Sequence, residues 1–449
     1  MSFVGPSNNT LHALHHQNLA GPQQLVNHKV LVPLALLFFQ CSLLHPTLAH
    51  SKLAKRIRIG LTPINFILLV TLPLRYSFVP SNNQNHMLKV GMALTLVNFA
   101  VRSLDWGLMN GPVYLRAPKT VNGVQRWDKE TMDDRSYQKG QEDEPFKAWK
   151  VGLWSLLHLS SLRGLQFSWG PASAAKTGRP ADLIRRMILL NLPLSLALAF
   201  NVLVRDSPLG TPLSALLSIG IPHLPGLKLL SESLHTACFG IYLACSSDVR
   251  ISLVTIIVIF LHKLATRFQS SDLVLQFFDP VAYPPAFNSP HKVASVADFW
   301  AHGWHTMFKR NFVVAGGKPT VWIMKKLGAS VRIQHLVGLF GIFTASAVIH
   351  EYAPWAVSPP SHLRTSSFYT AFPGSFFFFI VQPLAILIEP YVIPLIPKRL
   401  GGGRLWTFLF LIITAYPFRV QYVSESRIHA TVPPLSEWSW FYILSPFKD

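Results

Sequence analysis

Residues 336–355 read LVGLFGIFTASAVIHEYAPW, and this stretch decides which class of fold the chain adopts. Its first fourteen positions, 336–349, carry no ionisable side chain. A run of about 20 mainly apolar residues is long enough to cross the ~30 Å hydrocarbon layer of a bilayer as a helix. Gly338 and Gly341 are small enough to let a neighbouring helix approach closely. The stretch therefore predicts a membrane-spanning helix packed within a bundle.

Further apolar blocks occur on both sides of this stretch. Half of the 449 residues are hydrophobic and only 13% are charged, a balance that argues against a soluble protein. The backbone must satisfy its own hydrogen bonds within lipid, so we interpret the blocks as helices. We expect an all-α, polytopic transmembrane bundle of about eight or nine spans. The blocks are residues 30–49, 59–74, 87–101, 187–204, 229–244, 251–265, 336–349, 372–388 and 405–415, with 213–221 as an optional extra span.

The formal net charge of +20 would suggest a nucleic-acid partner in a soluble protein. Here the basic residues cluster beside apolar blocks, which is typical of the positive-inside bias and of contact with anionic headgroups. No basic pattern with interleaved aromatic residues occurs in a polar context. The expected partner is therefore the lipid bilayer rather than nucleic acid. The clusters are Lys52, Lys55, Arg56 and Arg58, and Arg179, Arg185 and Arg186.

Charge around the first block predicts the orientation. Four basic residues follow it within residues 50–58, whereas only Lys29 precedes it, so residues 50–58 are expected in the cytosol. The polar N-terminus, residues 1–28, is then lumenal, and Asn8 is a candidate glycosylation site. Strict alternation of the predicted spans places residues 268–334 on the lumenal side. The basic residues within 309–326 favour the cytosolic side, and the sequence leaves this conflict open.

Residues 29–449 are expected to form a single transmembrane domain. Within it, residues 102–150 have mixed charge and no apolar stripe, which predicts a polar cytosolic loop. Residues 268–334 are rich in proline, histidine and aromatic residues, and bulky aromatics favour burial. We expect this segment to form re-entrant or interfacial helices, followed by core helices over residues 335–415. We find no internal repeat, which argues against a transporter built from duplicated halves.

Several polar groups in or beside the blocks carry weaker signals. Cys41, Cys238 and Cys245 predict neither a disulfide framework nor a metal site. Glu389 is expected to be a helix-end carboxylate, and His235 to face the bundle without a partner that the sequence identifies. Asp248 and Arg250 suggest a short turn between the blocks 229–244 and 251–265.

His350 is the sharpest candidate for chemistry, because ionisable groups within a membrane are costly and mark functional sites. A buried neutral imidazole can accept a proton, as a general base for an alcohol must. Glu351 follows directly and could orient the ring, or a backbone carbonyl could do so instead. The alternative is a histidine that is merely hydrogen-bonded within the bundle.

A second constellation lies at residues 298–305, DFWAHGWH, with Arg310 close behind. Helical spacing places Trp300, Trp304 and His305 on one side. Asp298 and His302 share another side. An aromatic face followed by basic residues could hold an adenine ring and its phosphates. The alternative is an aromatic helix that anchors at headgroup level.

These segments resemble the wax synthase-like branch of the membrane-bound O-acyltransferase superfamily. The similarity rests on FNSPHKVASVADFW at residues 287–300, FWAHGWHTMFKRNF at 299–312, SAVIHEY at 346–352 and Leu162-Arg163-Gly164. It extends over roughly residues 156–415 and matches the family's aromatic segment and its distant membrane-embedded histidine. His305 stands where many members carry asparagine, a departure familiar in this branch.

The resemblance implies an acyl-CoA-dependent O-acyltransferase with no bound cofactor or metal. His350 would remove the proton of an alcohol as it attacks the thioester, while His305 orients substrate or polarises the carbonyl. Trp300, Trp304, Arg310 and Glu351 would contact substrate or CoA.

Fungal members of this branch often acetylate terpenoid or meroterpenoid hydroxyls in secondary metabolism. We therefore expect acetyl-CoA and a hydrophobic alcohol as substrates, at the endoplasmic reticulum membrane. A long-chain wax ester or sterol ester synthase is the alternative enzyme. A proton-coupled transporter using His350 and Glu351, or a catalytically idle scaffold, are the alternatives of another class.

Overall fold

The computed structural model describes residues 24–77, 86–116, 119–121, 124–126, 135–170, 180–357, 373–425 and 432–438. The expected glycosylation site and most of the polar N-terminus lie outside these ranges. Within them the regular secondary structure is helical except for two small sheets and an isolated bridge between Leu115 and Phe167. Strand β1 (Gln24–Leu25) pairs in parallel with β2 (Tyr76–Ser77), and β3 (Lys119–Val121) pairs antiparallel with β4 (Val124–Arg126). The all-helical architecture predicted from the sequence is confirmed.

The described α-helices are α1 (Leu31–Ser42), α2 (Pro46–Ala49), α3 (Lys52–Arg75), α4 (His86–Leu108), α5 (Arg135–Glu142), α6 (Ala148–Ser160), α7 (Pro180–Asp206), α8 (Pro212–Ser218), α9 (Leu227–Arg267), α10 (Asp272–Phe277), α11 (Val296–Asp298), α12 (Lys309–Phe312), α13 (Lys318–Lys326), α14 (Val331–Val357), α15 (Gly374–Ile380), α16 (Gln382–Val392) and α17 (Gly403–Arg419). Three π-helical turns adjoin them: Phe299–Gly303, Val313–Gly317 and Val420–Glu425. Short 3-10 helices occur at His28–Val30, Pro280–Ala282, Pro290–Lys292, Ile393–Leu395, Lys398–Leu400 and Leu435–Glu437.

Six helical stretches in the described ranges are long and apolar enough to cross a membrane: Lys52–Arg75, Met87–Leu108, Pro180–Asp206, Leu227–Arg267, Val331–Ala356 and Gly374–Leu395. The number is smaller than the number of apolar blocks because several blocks do not form separate long helices. The first block is divided between α1 and α2, and residues 213–221 contribute only the seven-residue helix α8. The last block forms α17, which has 17 residues.

The turn predicted at Asp248 and Arg250 is wrong, because residues 227–267 form one helix of 41 residues. Residues 241–267 contain neither glycine nor proline. Asp248 is 2% exposed, and its carboxylate forms an ion pair of 2.5 Å with Arg186 of α7. The polar residue that suggested a turn is therefore accommodated within the bundle by a partner on a neighbouring helix.

Because residues 227–267 form one helix, α9 counts as one crossing rather than two, and the sidedness inferred from alternation stays a prediction. With one crossing in place of two, alternation puts residues 268–334 on the same side as residues 50–58. A direct contact agrees with this count: Arg310 forms an ion pair with Asp105, one turn before the end of α4. Just beyond that helix, the Oδ1 of Asn110 accepts a hydrogen bond of 3.2 Å from Lys55. Arg310 thus lies at the end of the bundle that carries the basic start of α3.

The segment predicted as a polar loop from residue 102 contains secondary structure. Its first residues complete α4, and β3, β4, α5 and the beginning of α6 follow. Arg102 and Asp105 suggested solvent exposure, yet they are only 3% and 6% exposed. Arg102 donates to the carbonyl of Leu159 at 3.1 Å, so its burial is accompanied by hydrogen bonding.

Glycines bring α14 against the helices that precede it. A Cβ on Gly316 would lie 1.8 Å from the carbonyl oxygen of Gly341, and one on Gly338 would lie 2.7 Å from Val321. This confirms the close packing predicted from the small residues of α14. The contact places the end of α12 beside the far end of α14, where the candidate site lies.

Candidate active site

His350 lies in the last two turns of α14, with its imidazole fixed by its own helix. Its Nδ1 is 2.8 Å from the backbone carbonyl oxygen of Ser346, one turn earlier. A carbonyl only accepts hydrogen bonds, so Nδ1 must carry the hydrogen. In the neutral ring, Nε2 then holds the free lone pair. The geometry therefore presents Nε2 as the basic atom, and a backbone carbonyl sets the tautomer.

Aromatic side chains enclose this imidazole on several sides. The ring centroid of His350 is 4.4 Å from that of Phe379 and 6.2 Å from those of Phe312 and Phe418. Phe379 and Phe418 belong to the largest buried apolar cluster among the described residues. The histidine itself is half-buried. A proton transferred there would move in apolar, water-poor surroundings.

His305 follows the π-helical turn Phe299–Gly303 and enters the same region. Its ring lies 5.7 Å from that of Trp304 and 5.6 Å from that of Phe308. Burial, followed by the neighbouring His350 and Arg163, lowers the pKa of His305 to about 3. Its Nδ1 is buried without a hydrogen-bond partner in the part of the chain that the structure describes. The two histidines are thus brought together, and His305 retains a ring nitrogen available to a ligand.

Trp300 and Trp304 face inward, so the proposed headgroup anchor does not describe them. The indole N–H of Trp300 donates to Gln382 of α16 at 3.0 Å. Asp298 and His302 lie on another, exposed side, 2.9 Å apart, as the helical spacing predicted. The rings in contact with Trp300 or Trp304 are Phe287, Phe299, Phe343, Phe378 and Phe379.

Glu389 holds the beginning of residues 296–310, which carry most of the candidate site and are called the site segment below. Its carboxylate accepts hydrogen bonds from the backbone N–H groups of Val296, at 2.7 Å, and Ala297, at 3.2 Å. These are the first residues of α11, where unpaired N–H groups favour a negative charge. The predicted helix-end carboxylate is therefore buried, and it caps the first turn of α11 rather than its own helix.

Arg310 is already engaged within the protein. Its Nε and Nη2 contact the two carboxylate oxygens of Asp105 at 2.5 Å and 3.1 Å, and Nη1 donates to the carbonyl of Trp169 at 3.3 Å. The guanidinium also lies 4.7 Å from the Trp169 ring. A phosphate at this position would share the guanidinium with Asp105, and the role of Arg310 in CoA binding stays a prediction.

Glu351 points away from the His350 ring. Its Oε1 accepts from Gln421 at 2.6 Å. The Oε1 of Gln421 in turn accepts from the backbone N–H and the hydroxyl of Ser375, at 2.7 Å and 2.6 Å. Glu351 therefore ties α14 to α15 and to the π-helical turn Val420–Glu425, and its role toward substrate stays a prediction. The sequence contained no signal for Gln421 or Ser375.

Three charged residues clamp the loop formed by residues 285–287, which contacts His305 through Phe287. Arg163 donates hydrogen bonds to the carbonyls of the loop's first two residues, at 2.9 Å and 3.1 Å. Asp248 accepts a hydrogen bond of 3.0 Å from the N–H of the loop's central residue. Arg186 donates one of 3.1 Å to the carbonyl of the loop's last residue. Arg163 belonged to a motif noted in the sequence, whereas the parts played by Arg186 and Asp248 required the fold.

Residues 283–380 match the model of the membrane bound O-acyl transferase family. This range contains the clamped loop, the whole segment through His305 and Arg310, and His350. No curated protein matches the chain. The similarity predicted from the motifs is confirmed over these residues at the level of the family. The narrower resemblance to the wax synthase-like branch stays a prediction. The extension of the similarity to Arg163 and to α17 also stays a prediction.

Proposed function

We propose that this multi-pass membrane protein is an acyl-CoA-dependent O-acyltransferase, which esterifies the hydroxyl of a lipophilic acceptor. The observation that carries the proposal is the proximity of His350 and His305, two imidazoles surrounded by aromatic side chains. His350 has a defined tautomer with a basic Nε2, and His305 has a buried ring nitrogen without a described partner. The match to the membrane bound O-acyl transferase family includes both histidines.

The chemistry requires no covalent acyl-enzyme. The acceptor hydroxyl attacks the thioester carbonyl while Nε2 of His350 takes its proton. His305 donates a hydrogen bond to the developing oxyanion, for which it must be in the neutral tautomer with its hydrogen directed at substrate. Collapse of the tetrahedral intermediate breaks the C–S bond. The CoA thiolate then leaves and receives the proton from His350, which restores the starting state.

Crowding around His350 supports an acetyl rather than a long acyl group. Phe379 is within 4.4 Å of the imidazole, ring centroid to ring centroid, and is 4% exposed. Phe312 and Phe418 border two other directions. These apolar walls suit a compact acyl group and a flat or polycyclic acceptor, for which we propose a terpenoid or meroterpenoid of secondary metabolism. Long-chain wax or sterol esters are the alternative products.

The sidedness supports delivery of acyl-CoA from the cytosol. Arg310 closes the site segment at the same end of the bundle as the basic start of α3, the end that the positive-inside bias assigns to the cytosol. Trp300, Trp304, Arg310 and Glu351 are proposed to shape the substrate path through this segment. The endoplasmic reticulum, whose cytosolic face meets acyl-CoA, is the proposed membrane.

The test uses microsomes that contain the wild type, His350→Ala or His335→Ala. His335 is an exposed histidine on the same helix and provides the matched control. Labelled acetyl-CoA or palmitoyl-CoA is supplied with a pool of terpenoid and long-chain alcohols, and labelled esters are identified. We expect acetyl esters from the wild type and His335→Ala, and less than about 1% of that yield from His350→Ala.

Equal ester formation by inserted His350→Ala would overturn the assigned base. Palmitoyl esters alone would favour the wax or sterol ester synthase. Absence of any ester from inserted wild-type protein would contradict the proposed activity on these acceptors and favour the transporter, in which His350 and Glu351 would carry protons.

A further inference from the structure

Pro354 creates an unusual requirement at the backbone of His350. It lies within α14, four residues after His350. In a regular α-helix the carbonyl of residue 350 would accept from the N–H of residue 354, but proline has none. The carbonyl of His350 is therefore deprived of its helical donor. A buried carbonyl in this position needs another partner.

Tyr422 supplies the missing hydrogen bond. Its hydroxyl donates to the carbonyl oxygen of His350 at 2.8 Å. The tyrosine is 5% exposed, and its ring packs 4.6 Å from that of Phe418, which also borders the imidazole. The adjacent Gln421 binds Glu351. The π-helical turn Val420–Glu425 thus holds His350, whose carbonyl loses its helical donor, and the next residue, Glu351.

We propose that Tyr422 is a positioning residue for His350, and that a buried polar chain through Arg419, His235 and Asn201 sets the turn that carries it. The inference rests on the proposed acyltransferase function and deepens it. Tyr422 does not touch the reacting atoms. It fixes the backbone of the base so that Nε2 meets the acceptor hydroxyl at the correct distance and angle.

The buried chain begins where α17 ends. Arg419, 2% exposed, donates through Nη1 to Nδ1 of His235 at 2.7 Å and also forms an ion pair with Glu232. An arginine only donates, so Nδ1 of His235 must accept. Nε2 of the neutral ring then carries the hydrogen and donates to Oδ1 of Asn201 at 2.8 Å. Every direction in this chain is determined, which pins the end of α17 to α7 and α9.

The position of this buried polar chain explains how it affects the site. Arg419 is the last residue of α17, and the π-helical turn begins at the next residue. Gln421 and Tyr422 therefore lie within the first turn after the anchored guanidinium. A second contact steadies the same region: a Cβ on Gly374 would lie 2.4 Å from the carbonyl oxygen of Pro417. Rotation of this turn by loss of Arg419 would withdraw the Tyr422 hydroxyl from His350.

The experiment compares wild type, Tyr422→Phe, Pro354→Ala and the double variant Tyr422→Phe/Pro354→Ala in the ester assay. Tyr422→Phe removes only the hydroxyl, and we expect kcat to fall about 10-fold with little change in KM. Pro354→Ala restores a backbone N–H opposite the His350 carbonyl. The double variant is therefore expected to recover at least half of the lost kcat. Tyr391→Phe, a change at a tyrosine that is 78% exposed, is the matched control.

A second readout separates positioning from loss of folded enzyme. A misplaced base harms an aliphatic alcohol more than a phenol of similar shape, since the phenol needs less help to lose its proton. We expect Tyr422→Phe to lower the alcohol-to-phenol rate ratio about 5-fold. Arg419→Met and His235→Leu should lower it in the same direction. His235→Asn, which keeps an acceptor and a donor, should preserve the ratio.

Equal reduction of both rates, or no recovery in the double variant, would overturn the positioning role. Wild-type kcat in Tyr422→Phe would do the same. These outcomes differ from failure of the proposed function, in which the wild type itself forms no ester.

Discussion

Arg310 and Asp105 form an ion pair that joins the exit of the site segment to the end of α4, with N···O contacts of 2.5 Å and 3.1 Å. Asp105 is buried and Arg310 is 24% exposed by its side chain. The pair holds the site segment at the basic end of the bundle. It also gives Arg310 a structural partner that is separate from any contact with CoA.

A charge swap tests these two roles of Arg310. Asp105→Ala would leave a largely buried guanidinium unpaired and should destabilise the fold by about 3 kcal/mol. Asp105→Arg combined with Arg310→Asp should recover part of that loss, measured by thermal unfolding in detergent. If Arg310 also binds a CoA phosphate, the swapped protein should show a KM for acyl-CoA raised about 10-fold. An unchanged KM in the swapped protein would assign Arg310 to the fold alone.

His305 should act without titrating in the physiological range. Its lowered pKa of about 3 means that it gains a proton only as the pH falls toward that value, so it is uncharged at neutral pH. His305→Asn, which keeps a neutral donor, should retain about a tenth of kcat, whereas His305→Ala should retain about 1%. The pH–rate profile from about pH 5 to 8 should keep its shape in His305→Asn. A lost inflection in that variant would show that His305 titrates during turnover.

Phe379 should limit the length of the transferred acyl group, because its ring lies directly against the imidazole of His350, the proposed base. Phe379→Ala would open space beside His350. We expect this variant to use palmitoyl-CoA better relative to acetyl-CoA, with the ratio of the two kcat/KM values raised about 10-fold. A change of this size is typical of a small gain in space within an apolar pocket. Phe377→Ala provides a control on the same helix, since Phe377 is 37% exposed. A similar shift in both variants would exclude a specific role for Phe379.

The Asp248–Arg186 pair should affect both stability and the site. Asp248→Ala removes the acceptor of the loop 285–287 and leaves Arg186 without its carboxylate. We expect a loss of about 3 kcal/mol in unfolding free energy and a reduced kcat. Asp248→Asn keeps an acceptor for the loop, so it should lose stability while retaining more kcat than Asp248→Ala. Ester assays beside thermal unfolding would separate the two effects, and equal kcat in both variants would contradict the clamp.

Part of the candidate site was predictable because the membrane leaves so few choices. An imidazole at the end of a long apolar run is costly, so His350 stood out without any structure. Helical spacing also assigned Asp298 and His302 to a common face, as found. The tautomer of His350 was left between Glu351 and a carbonyl, and the carbonyl of Ser346 decides it. Rotation of about 100° between consecutive helical residues directs Glu351 elsewhere.

Other features depended on partners that are distant in sequence. Asp248 suggested a turn because a lone carboxylate disfavours an apolar helix, but Arg186 neutralises it and the helix continues. Arg102 and Asp105 suggested a solvated loop for the same reason, and both are buried with partners. A charged residue predicts solvent exposure only when it has no partner in the folded protein, because pairing offsets the cost of burying the charge. The sequence does not show that partner.

The sequence by itself determined that this protein is a helical membrane bundle with a histidine at the end of one apolar helix, because lipid demands apolar length and satisfied backbone. It also contained the proline that deprives His350 of its backbone donor. Only the tertiary structure decided that Tyr422 replaces that donor and that His305 lies close to His350. Hydropathy depends on each residue's own transfer free energy, whereas hydrogen bonds and ion pairs depend on which residues the packed helices bring within 3 Å or so of each other.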